Sequence, residues 1–411
     1  MSSQQSRPLW LEYAALATVP LVMVLGNSML VPILPEVKRH LGLTSLQTSL
    51  IITPVAGYLS DRFGRKKIII PGLIIYGAAG VFTGLGALWN SYPLLISSRA
   101  IQGLGAAGTA PIAMALVGDL YKDAEESQAM GLIEASNGAG KVISPILGAA
   151  LALWTWTAPF FAFPCFCALS LVAIIWLIKE PRRKQEPTPL KTYLHNVAEI
   201  FKKMGRWLIP AFFAGSLALF ILFGILIYLS DILEEKPYYI KGVVKGLVLA
   251  IPLLGIVTTA FITGSLIKKN GILIRRMMII GLVCMSLSLG LTIMFHKQIV
   301  WFIALITISS IGTGMLLPCL NTMITGSVEK AERGMITSLY SSLRFFGVAL
   351  GPPLFTWMME KSHQIIFISV TALSACSLSQ MQRCNSTDPI QVISDLGADS
   401  IIVRSFNPFN P

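Results

Sequence analysis

Charged residues are scarce in this chain of 411 residues. Asp, Glu, Lys and Arg make up 13% of the sequence and hydrophobic residues 54%, whereas a soluble domain carries roughly 25% charged residues. A deficit of this size excludes an ordinary soluble core and indicates an integral membrane protein. The basic excess, a formal net charge of +12, lies between apolar runs. It therefore predicts contact with anionic lipid headgroups at the inner leaflet, and no nucleic acid partner.

Motifs for catalysis, nucleotide binding and metal binding are also missing. The sequence has no Walker loop and no catalytic triad. Its six cysteines show no metal-ligand spacing, and Cys165 and Cys167 lie inside an apolar run, where a thiol is a small hydrophobe. We therefore predict that the chain is not an enzyme and needs no cofactor or metal. Energy for any transport would come from an ion gradient or from the substrate's own gradient.

Long apolar runs predict an all-α protein with twelve membrane-spanning helices. The second run, which contains Pro54, and the twelfth are unusually short for a bilayer. The twelve runs cover residues 13–34, 46–59, 68–88, 94–117, 129–151, 158–178, 208–229, 244–267, 276–295, 299–325, 335–356 and 364–379. They divide the chain into an N-terminal six-helix bundle (1–178), a cytoplasmic basic linker (179–207), a C-terminal six-helix bundle (208–379) and a polar tail (380–411) that we expect to be disordered.

A charged turn interrupts the apolar runs between residues 57 and 67. It carries one carboxylate and four basic residues within seven positions, so it cannot lie in hydrocarbon and must form a turn on a membrane face. Basic residues concentrate in the segments that share this face, which predicts a multi-pass protein of the cell membrane with both termini cytoplasmic. A similar but less charged turn at residues 264–271 follows the eighth run. Two six-helix halves related by pseudo-two-fold symmetry are a transporter architecture.

Three motifs stand in order along the chain. Gly57–Lys67 matches the pattern G-x-L-a-D-r-x-G-r-k, and Arg99–Ala107 in the fourth span matches R-x-x-Q-G-x-G-a-A. Gly140–Ala149 in the fifth span is similar to G-x-x-x-G-P-x-x-G-G, with two glycines replaced. On these motifs the chain resembles the major facilitator superfamily, specifically its twelve-span drug:proton antiporters, which include multidrug and siderophore exporters. The resemblance implies the major facilitator fold, and the third motif favours export over uptake.

The charged turn has a role in the resembled family, where it latches the cytoplasmic side of the outward-open state. Asp61 can accept hydrogen bonds at a neighbouring helix N-terminus, and Arg65 can pair with a carboxylate, for which Asp119 is the candidate. The alternative is that these charges only set topology, to which Asp61 would contribute nothing. The predicted latch consists of Gly57, Asp61, Arg62, Gly64, Arg65 and Asp119.

Small residues and prolines in the fifth and eleventh spans let these helices approach their neighbours closely. In the resembled exporters this region seals the outer end of the central cavity. Generic small-residue packing explains the same residues, and the hypothesis adds only that the seal opens and closes. The predicted outer seal consists of Gly140, Ser144, Pro145, Gly148, Gly351 and Pro352.

Ionisable residues at bilayer depth are functional candidates by default. Glu134 and Lys141 share one face of the fifth span, and Asn137 flanks it. A carboxylate in such a place can load and release a proton, so Glu134 is the predicted proton carrier. The alternative is that each charge pairs with another helix and is structural.

Two arginines complete the predicted proton-coupling and cavity residues. Arg99 has Gln102 one turn further along the fourth span, which favours a cavity position over snorkelling to the outer headgroups. Arg344 in the eleventh span needs a partner at mid-depth, and Glu134 is the nominee. The alternative is that Arg344 binds an anionic group of the cargo.

Together these features predict a proton-coupled secondary exporter, an antiporter, of an amphipathic small molecule such as a drug or siderophore. It would work by alternating access, with protons, a small-molecule substrate and membrane lipids as its partners, and the resemblance implies a monomer. Lys141 and Arg344 make the cavity partly cationic and favour anionic or zwitterionic cargo. Two rivals stay open: an uptake transporter for a sugar or metabolite, and a non-transporting or defective family member, as the short second span suggests.

Overall fold

The structure is a computed structural model. It describes residues 9–44, 65–107, 123–178, 190–267, 271–295, 298–327 and 330–383, together with residues 109, 112–113, 116–117 and 120–121. Within these residues the chain forms twelve α-helices and one 3-10 turn, with no β-strand. The predicted second span, 46–59, lies outside the described residues, as does the chain beyond residue 383. The predicted all-helical class is confirmed for the described part of the chain.

The N-terminal half contains α1 (Leu9–Ser28), a 3-10 turn (Val31–Ile33), α2 (Leu34–Leu41), α3 (Arg65–Leu88), α4 (Tyr92–Ala107), α5 (Asp123–Ala152) and α6 (Ala158–Leu177). The helix α2 is a short amphipathic extension of the first span and ends at Gly42, whose φ of 60° lies in the left-handed region. Helix α1 packs on α5 and α6, whereas α3 packs on α4 and α6.

The C-terminal half contains α7 (Leu190–Glu234), α8 (Gly242–Ile267), α9 (Gly271–Phe295), α10 (Ile299–Gly326), α11 (Lys330–Lys361) and α12 (His363–Arg383). Helix α7 begins at Leu190 rather than at residue 208, because the amphipathic end of the predicted linker continues the seventh span as one helix. Helix α12 runs to Arg383, beyond the predicted end of its span at residue 379. Helix α7 packs on α11, and α10 packs on α8 and α9.

Hydropathy explains why these helices form. Among the described residues, eight helical segments are long and apolar enough to cross a membrane. Several contain an internal proline, for example Pro71 in α3, Pro252 in α8 and Pro318 in α10. Such prolines are tolerated in membrane helices because neighbouring groups satisfy the freed backbone carbonyl. The chain is therefore a multi-pass membrane protein.

Two hydrophobic cores fill the bundle. The larger core runs through the C-terminal half and also takes in Met29, Val31 and Leu34, near the end of the bundle that carries α2. We call this end of the bundle the α2 end. The smaller core includes Tyr13 and Ile174 at the opposite end, and its described members all belong to the N-terminal half. Among the described residues, the two halves therefore share a core only toward the α2 end.

Candidate functional site

Within the described part of the chain, helices α5 and α8 form the most extensive contact between the two halves. They run antiparallel, and a Cβ built on Gly246 near the start of α8 would lie 2.8 Å from the carbonyl oxygen of Pro145 near the end of α5. Further from the α2 end, a Cβ on Gly138 would lie 2.9 Å from Cγ1 of Val257. The absence of side chains at both glycines is therefore what lets the two helices approach this closely.

The same two helices separate toward the opposite end. Gly131 and Gly264 lie seven residues, about two helical turns, beyond Gly138 and Val257 on the same helix faces. A Cβ built on Gly131 or on Gly264 meets no atom of the described residues within 4 Å. The interface between the halves is therefore closed at the α2 end and open at the other end of these helices.

On α5, the predicted seal residues contact two different neighbours. A Cβ on Gly140 would lie 2.8 Å from Cδ1 of Leu21 in α1, and one on Gly148 would overlap the carbonyl oxygen of Met29. Ser144 is buried, and its hydroxyl donates to the Lys141 carbonyl oxygen at 3.4 Å. These glycines therefore hold α5 against α1 within one half, and Pro145 is the member that contacts α8 across the halves.

On α11, the predicted seal residues pack within the C-terminal half. A Cβ on Gly351 would lie 2.6 Å from the carbonyl oxygen of Phe220 in α7. Pro352 is buried, and its carbonyl oxygen accepts a hydrogen bond from Thr356 Oγ1 at 2.9 Å. The opening and closing of these contacts stays a prediction.

Arg99 is a fully buried cation in the N-terminal half, with 1% of its surface exposed. Its Nη1 donates to Oε1 of Gln102 at 2.5 Å, and Nε2 of Gln102 donates to the Tyr76 carbonyl oxygen of α3 at 3.3 Å. The side chain therefore does not snorkel to the headgroups, and the proximity of Arg99 and Gln102 expected from their spacing is observed. Sequence reasoning missed the backbone of α3 as the third partner.

Arg344 is half-buried on α11. Its Nη1 donates to Oδ1 of Asn321 in α10 at 3.3 Å, and its guanidinium carbon lies 5.4 Å from the centroid of the Tyr340 ring. Its Nε has no hydrogen-bond partner among the described residues. Sequence reasoning missed Asn321, although an amide inside an apolar helix is a visible signal. The nominated partner, Glu134, has its side chain outside the described part of the chain, so that pairing stays a prediction.

The other predicted residues on α5 lie near the contact with α8. Lys141 and Asn137 are half-buried. Gly138 and Pro145, which the sequence places on the same face as Glu134 and Lys141, both contact α8 or lie against it. This face of α5 therefore belongs to the interface between the halves, and position 134 follows Gly138 toward the end where the two helices separate.

Most of the predicted latch falls outside the described residues: Gly57, Asp61, Arg62, Gly64 and Asp119. Arg65 is the first residue of α3. Its neighbour Lys66 donates through Nζ to the carbonyl oxygens of Ile175 at 3.1 Å and Ile178 at 2.5 Å, at the end of α6. A cation at a helix C-terminus satisfies carbonyls that have no partner in the helix and complements the helix dipole. One residue of the motif therefore fixes α3 to α6 within the N-terminal half.

Sequence reasoning also missed a charged cluster at the α2 end. Lys245 Nζ, 1% exposed, lies 2.9 Å from Oε1 of Glu234 and donates to the Pro32 carbonyl oxygen at 2.7 Å. Oε2 of Glu234 lies 3.3 Å from Nη2 of Arg39. Close by, the buried Ser230 hydroxyl donates to the Val31 carbonyl oxygen at 3.0 Å. Because these residues come from α2, the 3-10 turn, α7 and α8, the cluster crosses between the halves.

Comparison with known proteins agrees with this architecture. The chain matches the Major Facilitator Superfamily over residues 16–271 and 236–381. It is 43% identical over 378 residues to the bacillibactin exporter of Bacillus subtilis (strain 168), covering 89% of this chain and 94% of that protein. It is 27% identical over 356 residues to multidrug resistance protein 2 of the same organism, covering 81% of this chain and 86% of that protein.

A solved structure shares the fold. The human organic anion transporter MFSD10 (TETRAN) aligns with a TM-score of 0.68 at 18% sequence identity, covering 92% of this chain and 100% of that one. At this identity the likeness concerns the fold alone. The family match and the exporter relative identify a transporter rather than an enzyme, and the chain belongs to the major facilitator superfamily.

Proposed function

We propose that the chain is a proton-coupled exporter of an amphipathic small molecule. The observation that carries this proposal is the 43% identity to the bacillibactin exporter over nearly the whole length of both proteins. The bundles 1–178 and 208–379 would rock against each other as a monomer, joined by the basic linker 179–207 at the anionic inner leaflet. Both termini would be cytoplasmic, which makes the α2 end the outer end.

The geometry of the two halves supports an inward-facing arrangement in this orientation. The halves share a hydrophobic core at the α2 end, and α5 and α8 touch there. Toward the cytoplasmic end the same helices separate at Gly131 and Gly264. Cargo would enter from that side, and export would require the α2 end to open while the predicted latch closes the inner side. That latch consists of Gly57, Asp61, Arg62, Gly64, Arg65 and Asp119.

The proton would be carried by Glu134, with Lys141 and Asn137 beside it on α5. This position is adjacent to the contact between the halves, so a change in that contact can change its exposure to solvent. A carboxylate that alternates between two solvent exposures can take up a proton from one side and release it to the other. Arg99, with Gln102 beside it in the same half, and Arg344 in the C-terminal half would tune this site.

The cargo would carry an anionic oxygen, as a catecholate siderophore or an acidic drug does. Arg344 supports this class because it is half-buried at the expected depth of the bilayer and its Nε lacks a partner among the described residues. A guanidinium fork holds planar oxygen pairs well, and the Tyr340 ring beside it offers an apolar face for an aromatic cargo.

Purified protein in liposomes tests the function directly. An imposed proton gradient should drive transport of bacillibactin, the compound named for the relative, and should leave xylose unmoved. Accumulation of a sugar inside energised right-side-out vesicles would favour the uptake rival instead. No transport of either compound, in either orientation, would favour the non-transporting rival.

Glu134→Gln tests the proton carrier. The substitution should abolish proton-driven transport of bacillibactin while binding of bacillibactin to the detergent-solubilised protein persists, because the amide keeps the shape of the side chain and cannot ionise. Glu360→Gln, at an exposed position near the end of α11, is the matched control and should transport normally. Proton-coupled transport at the wild-type rate in Glu134→Gln would refute the assignment.

A further inference from the structure

The charged cluster at the α2 end connects the two halves through Lys245, which is unfavourably placed in its own helix. Lys245 is the fourth residue of α8, and a cation in the first turn opposes the helix dipole. A buried ammonium also costs free energy unless it is paired and hydrogen-bonded. Its burial therefore depends on Glu234, on the nearby Asp231 and on the Pro32 carbonyl oxygen, and only the last belongs to the other half.

We propose that Lys245, Glu234 and the Pro32 carbonyl form a second latch, at the opposite end of the bundle from the one predicted at the charged turn. This latch holds the α2 end shut. The inference rests on the alternating access proposed above, because a latch has a function only where the α2 end opens. Opening must separate Lys245 Nζ from the Pro32 oxygen and Ser230 Oγ from the Val31 oxygen, since both hydrogen bonds cross between the halves.

The pairing inside the C-terminal half makes the latch reversible. Glu234 ends α7 and Lys245 lies in the first turn of α8, so their ion pair moves with one half and can persist when the halves part. Lys245 is therefore never left without its counter-charge during the movement. The hydrogen bonds to Pro32 and Val31 are exchanged for water, which approaches as the end opens.

The two cations that contact Glu234 contribute unequally. Arg39 is 56% exposed, so its contact with Glu234 across the halves is screened by water and adds little. Lys245 is buried, so removing the carboxylate that contacts its Nζ leaves a charge that the closed state shields from water and that Asp231 offsets only in part. Loss of Glu234 should therefore favour the state in which water reaches Lys245.

Hydrogen–deuterium exchange of the full-length protein in lipid nanodiscs tests the latch without measuring transport. In Glu234→Gln, amide exchange at the α2 end, in peptides covering residues 29–41 and 229–246, should rise by about tenfold or more. Exchange at the opposite end, in peptides covering residues 128–135 and 258–267, should fall, because closure there accompanies opening of the α2 end. Glu235→Gln, one residue along and exposed, is the matched control and should leave both sets unchanged.

Lys245→Ala provides a second variant, with the exposed Lys241→Ala as its control. It removes the donor to Pro32, so it should change exchange at the two ends in the same directions as Glu234→Gln. Unchanged exchange in both variants would overturn the latch, as would a rise at the α2 end without a fall at the other. Wild-type protein that transports no bacillibactin in liposomes would instead overturn the proposed function, so the two failures are distinguishable.

Discussion

The two ends of the bundle hold their helices together in different ways. At the α2 end the described contacts cross between the halves: Gly246 meets Pro145, and Lys245 reaches Pro32. At the opposite end the described polar contacts stay within one half or the other, as between Lys66 and the end of α6 or between Ser327 and Met323. Among the described residues, one end is therefore a joint between the halves, whereas polar contacts at the other end lie within a single half.

This difference bears on how a membrane transporter can move. Lipid is as apolar as the helix surfaces, so association of helices depends on close packing and on hydrogen bonds rather than on burial from water. A contact that uses a glycine against a backbone carbonyl is sensitive to any added atom. The α2 end combines such contacts with buried charge, so small changes there should alter the balance between open and closed states.

Gly246→Val should have the largest effect. A Cβ at this position lies 2.8 Å from the Pro145 carbonyl oxygen and 3.0 Å from Cα of Ile146, and backbone atoms cannot rotate away. Overpacking costs about 1–3 kcal/mol, which should lower the ratio of closed to open states at the α2 end by about fivefold to a hundredfold. Amide exchange in residues 229–246 measures this ratio.

The same helix offers a matched control for that prediction. Gly264 lies five turns further along the same face of α8, where a Cβ meets nothing within 4 Å in the described part of the chain. Gly264→Val should leave exchange at the α2 end unchanged. An equal effect of both substitutions would mean that α8 responds to side-chain bulk as a whole, and the contrast between the two ends would then be wrong.

Tyr121→Phe should have a smaller effect, confined to the N-terminal half. The Tyr121 hydroxyl donates to Oε2 of Glu12 at 2.7 Å, and its ring meets the Tyr13 ring edge-on, with centroids 4.9 Å apart. Burial, and then this hydrogen bond, raise the pKa of Tyr121, so the phenol donates as a neutral group at physiological pH. Losing one such hydrogen bond costs about 1 kcal/mol, which thermal unfolding in detergent should register.

Exchange at the α2 end should not change in Tyr121→Phe, because both partners belong to one half. Opening of the α2 end in this variant would connect the two ends through the N-terminal half. It would contradict the conclusion that contacts at the opposite end are local.

Hydropathy was sufficient to predict most of the helices. The apolar run at residues 244–267 corresponds to the observed helix Gly242–Ile267, and the run at 299–325 corresponds to Ile299–Gly326. These limits are predictable because the bilayer requires about 20 apolar residues in each span. The start of α7 at Leu190 was not predictable in this way, since its first turns are polar and continue a helix whose apolar part begins later.

Contacts between residues that are distant in the chain could not be predicted from the sequence. The link between Arg99 and Gln102 follows from their spacing of one helical turn. Lys245 carries no such signal, because it lies near a predicted loop like any cation that sets topology, and its partner carbonyl belongs to Pro32, far away in the chain. Arg344 is similar, since Asn321 becomes its partner only through the packing of α10 against α11.

Arg39→Gln should have the smallest effect at the α2 end, although its contact with Glu234 also crosses between the halves. The pair is 3.3 Å long, and Arg39 is 56% exposed while Glu234 keeps its buried partner Lys245. Exposed pairs contribute about 0–1 kcal/mol, so exchange in residues 29–41 should rise less than about fivefold, well below the rise in Glu234→Gln. Equal rises in exchange in Arg39→Gln and Glu234→Gln would assign closure of the α2 end to the exposed pair. Raising the salt concentration would then open this end of the wild-type protein to the same extent, because salt screens exposed charges and spares buried ones.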